Sequence, residues 1–202
     1  MRQLINRGKL SSLRDKSRDA LTERLNSLGI SAEMAERGRA EETVESLRIF
    51  KQSLGLVDVS KSPIASINVL KKNGGKDSPP QWWFVFLVPY DTTAGQRWKL
   101  KIKPVRKKSF PLFGKVLEVY WKGNDQGTGL VNDLSEDKEI DSLVTRRGNL
   151  LVRAHSKHFH GWGIQTKRFV MTTEDWKALE HLAERLQHVS SSPVLRSRLT
   201  QA

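Results

Sequence analysis

The sequence predicts an α+β protein: N-terminal helices, then an antiparallel sheet or partly open barrel of about seven strands, with a C-terminal amphipathic helix packed on it. Three observations lead there. Leucines in the first third recur three and four residues apart; from Ile64 the apolar period falls to two; and the helical period returns at Trp176.

The first helix is read from Leu10, Leu13, Leu21, Leu25 and Leu28, with Gly29 as its stop. A second runs from Ala40, with Thr43, Leu47, Phe50 and Leu54 on one stripe, to a stop at Gly55. Its acids Glu41, Glu42 and Glu45 precede Arg48 and Lys51, the order a helix dipole favours. Ile64–Leu70 is the first strand, and the run from Lys71 to Pro80 punctuates it. Gln81–Tyr90, apolar on both faces, is a buried central strand. Arg97–Lys103 alternates cation with hydrophobe, so Trp98, Leu100 and Ile102 face a core. These two runs form the expected central hairpin, closed by Asp91–Gln96. Pro104 ends its second arm, and Val105–Phe113 is a basic connector.

Lys115–Lys122 follows as a strand with Leu117, Val119 and Trp121 inward, then a turn cluster at Gly123–Gly129. A short strand is expected at Leu130–Leu134, leading into an acidic patch, and two more at Asn149–His155 and Gly161–Met171. Thr172 or Thr173 caps the last helix, whose apolar stripe is Trp176, Leu179, Ala183 and Leu186. This divides the chain into a helical region 1–60, a β-domain with its helix 61–188, and a tail 189–202. The order of elements, with Trp176 on the final helix, resembles that of a pleckstrin-homology-like barrel.

The 202 residues carry a formal charge of +13, and residues 61–188 hold nine of those charges. Such a field points to an anionic partner: nucleic acid first, with an anionic membrane surface behind it. The absence of cysteine removes disulfides, thiolate nucleophiles and cysteine-bound metal from consideration. No apolar run approaches the length of a membrane span, and a cytoplasmic protein is expected.

The strongest chemical signal is Arg97, Lys99, Lys101 and Lys103, continued by Arg106, Lys107 and Lys108. These seven cations fall within twelve residues containing no acid. Alternate strand residues lie about 6.7 Å apart, close to phosphate spacing along a nucleic acid strand. Phe110 and Phe113, beside them, are the aromatics best placed to stack on bases. The competing reading is an edge strand blunted by lysine against aggregation. Lys71, Lys72 and Lys76 form an alternative anion site. The loop holding them is not a phosphate-binding loop, because Leu70 stands where its first glycine belongs and Asp77 where its Ser or Thr belongs. The histidines of His155–His160 read as an exposed turn with no acid to complete a metal site.

No nucleophile elbow, metalloprotease or dinucleotide signature occurs, and no catalytic residue, metal or cofactor is assigned. The expected function is non-enzymatic binding of a polyanion through a basic β-face. The alternatives are a barrel-like lipid- or peptide-binding module, and a scaffold that self-associates through its N-terminal helices.

Overall fold

The computed structural model describes residues 15–45, 51–90, 99–109 and 114–191. One antiparallel sheet organises them. Its eight strands are β1 (Ala32–Met34), β2 (Lys51–Val59), β3 (Ser66–Lys72), β4 (Gln81–Pro89), β5 (Lys101–Lys108), β6 (Val116–Asn124), β7 (Leu151–Ser156) and β8 (His160–Lys167). They lie in the order β1-β2-β3-β4-β8-β7-β5-β6, and β1 and β6 are its edges. The described helices are α1 (Ser17–Ser27), α2 (Leu130–Glu136), α3 (Lys138–Arg147) and α4 (Thr173–Ser191), with a 3-10 turn at Ala40–Thr43.

Alternation decides the two faces. Val69, Phe84, Phe86, Ile164, Val152 and Ile102 point to one side, where they join Leu21, Leu25, Leu130, Ile140, Leu143, Trp176, Leu179 and Leu186 in the main core. All four helices therefore bury their apolar stripes on this face. The opposite face carries Leu56, Leu70, Val85 and Leu87, covered by Ala35 and Val44 of the segment around the 3-10 turn. The buried carboxamide of Asn68 holds that segment down by donating to the carbonyls of Glu41, Glu42 and Val44 at 3.0–3.3 Å. The cover lies over β2, β3 and β4, and its end reaches β7, where Glu45 pairs with Arg153 at 2.6 Å.

Local chemistry accounts for the helix ends. Ile30 N–H reaches the carbonyl of Leu25 and Gly29 N–H that of Asn26, at 3.1 and 3.0 Å, so α1 closes as a Schellman motif on Gly29 at φ +80°. Asp137 caps α3 through the amides of Glu139 and Ile140. Thr172 and Asp175 bond each other reciprocally at the start of α4.

Several sequence expectations are corrected. The second N-terminal helix is a single 3-10 turn followed, beyond residues 46–50, by the strand β2. Leu56 and Val57 are both fully buried, because β2 is covered on both faces, and such a short apolar run has no period to tell strand from helix. Gly55, expected as a helix stop, sits instead at a bulge at φ +114°, where the Arg18 guanidinium fills the space a side chain would take. Leu130–Leu134 is helical rather than extended, and residues 136–141 belong to a helix end, a cap and α3. Leu117, expected inward, is 66% exposed, displaced by a register shift opposite Lys107 and Lys108. The central hairpin does not form: β4 pairs with β3 and β8, whereas β5 pairs with β6 and β7. Nor does β5 end at Pro104; it runs on to Lys108 through the stretch expected as a connector.

A basic groove where the sheet parts

β5 and β7 stay together for only two register pairs, Lys101 with Arg153 and Ile102 with Val152. Pro104 explains why. Ala154 N–H donates to the Leu100 carbonyl, which makes residues 100, 102 and 104 the ones whose backbone groups turn toward β7. The next bond in the ladder needs an N–H from residue 104 to Leu150, and proline has none. Toward β6 the same residue is harmless. Trp121, its partner there, directs its own N–H away to Ser135 Oγ at 2.8 Å. The sheet therefore parts beyond Ile102, and Leu150 turns back to the Gly148 carbonyl.

The opening is a groove of about 560 Å³. Lys103, Arg106 and Lys108 of β5 and Lys122 of β6 line one wall; Asn149, Leu150 and Leu151 line the other, with Trp83 and Gln165 at the inner side. Among its described lining residues four are cations and none is an acid. Lys103 and Lys122 stand directly opposite each other across β5 and β6. Like charges so placed destabilise a sheet, and no carboxylate among the described residues pairs with either. Four residues along the same ladder, Lys107 faces Glu118 and pairs with it at 3.5 Å, as ordinary surface design would have it.

Arg106 is held by packing. A β-carbon added at Gly148, which closes α3 at φ +78°, would lie 2.6 Å from its Nη2. The guanidinium thus rests against the C-terminal end of a helix, where the dipole favours a cation, and no carboxylate neutralises it among the described residues. Trp83 packs against the second core from its inner side while its ring lines the groove, with Lys167 Nζ 5.8 Å from the ring centre. Gln165 is only 7% exposed and lines the inner side of the groove.

The expected site residues are distributed unevenly. Lys103, Arg106 and Lys108 meet in the groove. Lys101 is exposed on the same face as Lys103, and Lys99 is exposed just before β5, its backbone N–H donating to Gln126. Lys107 is paired with Glu118. Arg97, Phe110 and Phe113 lie outside the described residues. In the alternative set, Lys71 pairs with Asp15 at 3.1 Å and stands over the Trp82 ring, while Lys72 and Lys76 are exposed. Asp15 is correspondingly perturbed. Burial alone would raise its pKa, but hydrogen bonds from Ser17, Trp82 and Lys71 outweigh that and hold it far below the usual carboxylate range.

Lys122, Gln165 and Asn149 are not legible as site residues in the sequence, and Trp83 reads there as a core aromatic, because all four arrive from other segments. Pro104, inside a run of alternating cations, was the one local signal of a break. Among the described residues no cluster of metal-ligating side chains occurs, and no helix is long and apolar enough to cross a membrane. No protein-family model matches the chain, and comparison with curated proteins and with solved structures finds no match.

Proposed function

We propose that the chain binds a polyanion, nucleic acid in particular, through the groove between β5 and β7 and the exposed lysine row beside it. The observation that carries this reading is the acid-free lining, with Lys103 and Lys122 directly opposed. Their repulsion costs the fold stability, and an incoming row of phosphates relieves it. The role of the cations is phosphate pairing: Lys103, Arg106, Lys108 and Lys122 within the groove, with Lys101 extending the row.

Edge protection, the competing account of these lysines, fits poorly. It accounts for cations on β5 beyond Ile102, where β7 has parted, but it does not call for two lysines placed opposite each other across β5 and β6. The lipid- or peptide-binding alternative, with its pleckstrin-like order of elements, rests on Lys71, Lys72 and Lys76. Lys71 is already engaged with Asp15, which makes that set the weaker anion site.

Fluorescence anisotropy with labelled single- and double-stranded DNA and RNA tests the proposal. Lys103→Glu with Lys122→Glu is expected to abolish binding, while Lys177→Glu, exposed on α4 behind the sheet, leaves it intact. Undiminished binding by the double variant would sink the reading. So would the absence of binding by the unaltered protein at low salt.

A further inference from the structure

We propose that the groove takes a single nucleic acid strand, with one unstacked base held against Trp83 and its edge read by Gln165. The inference rests on the polyanion reading and goes beyond it. Phosphate pairing alone needs cations. It needs neither an aromatic wall nor a carboxamide carrying both donors and an acceptor.

Register brings those two groups together. Val85 of β4 pairs with Gln165 of β8, and Trp83 lies two residues from Val85 on the same face. Trp83 is half-buried against Leu70 and Val85, which fixes its ring while leaving a surface toward the groove. Gln165 is nearly enclosed, and it lines the groove beside Trp83. A carboxamide at the groove wall offers two donors and an acceptor, and a base edge supplies the complementary groups.

Shape selects the single strand. A volume of about 560 Å³ is that of a small-molecule cleft, suited to a nucleotide or two rather than to a helix of stacked pairs. In a duplex the base faces are occupied by their neighbours, and only edges are offered in the grooves, to elements that protrude. Trp83 and Gln165 sit inside a recess. A base reaches them only once it leaves the stack, as in single-strand recognition generally.

The test compares four labelled or competing probes against the full chain: a short single strand of mixed sequence, its duplex, an abasic strand with the same phosphates, and inorganic polyphosphate. The base-bearing strand is expected to bind about tenfold more tightly than the abasic one, the usual scale of one base–aromatic stack. Trp83→Leu, which keeps an apolar filler, is expected to erase that preference, and Trp83→Phe to keep most of it. Equal affinity for the base-bearing strand, the abasic strand and polyphosphate would overturn the base pocket while leaving the polyanion reading standing. Preference for duplex would do the same. Failure of every probe to bind would remove both. Should Trp83→Leu not fold, the comparison of probes on the unaltered protein still decides.

Discussion

Neutralising two groove lysines should flatten the salt dependence of binding by a calculable amount. Five cations face the proposed strand: Lys101, Lys103, Arg106, Lys108 and Lys122, none of them with an ion-pair partner among the described residues. Each phosphate neutralised on a single strand contributes about 0.7 to the slope of log affinity against log salt, so five give a slope of about −3.5. Between about 50 and 200 mM salt, affinity should then fall by roughly a hundredfold. Lys103→Gln with Lys122→Gln removes two of the five contacts and should bring the slope to about −2. It should also relieve their mutual repulsion, so the variant should be no less stable than the parent. Anisotropy titrations at four or more salt concentrations measure the slope, and urea unfolding checks the fold. A parental slope near zero, or an unchanged slope in the variant, would refute the phosphate role given to these side chains.

Two further outcomes follow from the geometry. Pro104→Val restores the donor that the β5–β7 ladder lacks; it should narrow the groove, weaken binding by about tenfold or more and leave or raise the unfolding midpoint, as one added hydrogen bond contributes about 1 kcal/mol. Unchanged affinity in Pro104→Val would mean that proline is not what holds the groove open. Asp175→Asn keeps an acceptor at the start of α4 but leaves Arg146 and Arg147 without the carboxylate they share, whose side chain is fully buried. Because both arginines are partly exposed, the loss should be about 2–3 kcal/mol rather than the full value for a buried pair, lowering Tm by roughly 4–12 °C. A calorimetric change under about 0.5 kcal/mol would contradict the role given to that cluster.

Acid should unfold the protein in a predictable sense. Burial would raise the pKa values of Asp15, Asp137 and Asp175, but hydrogen bonds from Ser17 and Trp82, from His181, and from Arg147 and Thr172 respectively overturn this and lower all three. Depressed carboxylates stabilise the fold above their unfolded pKa of about 3.9, and that stabilisation is lost as pH falls through the folded values. Asp141, raised by burial and by its neighbour Asp137, works the other way, gaining stability as pH falls. Glu41, held down by the Arg39 guanidinium, joins the depressed group, and four carboxylates against one give a net loss below about pH 4, which urea midpoints measured from pH 7 downward will follow. A rising midpoint there would show the signs to be wrong.

The fold was legible where a residue's own neighbours decide its state. The period of Trp176, Leu179, Ala183 and Leu186 gives α4, and all four are buried as expected. The alternation across residues 100–103 correctly turns Leu100 and Ile102 inward and leaves Lys101 and Lys103 outside. Alternation assigns a face but not a neighbour, however, so it could not show that β8 takes the place beside β4 where β5 was expected. Half the candidate site was legible for the same reason. Lys103, Arg106 and Lys108 share one strand, whereas Lys122, Trp83 and Gln165 reach the groove only through the strand order. His181 shows the limit most plainly. Its position on α4 suggests a surface residue, yet its Nε2 lies 2.7 Å from Asp137, the cap of a helix that no local pattern places beside it.

Pro104 sets the groove apart from most binding sites, which are made by what is present. Here one missing hydrogen-bond donor in the interior of a sheet makes the space. A substitution that supplies the donor should cost the fold nothing and should be selected whenever stability alone is scored. Random libraries screened for heat resistance should therefore accumulate changes at this position. Libraries screened for ligand retention should keep proline there even where other residues of the strand vary.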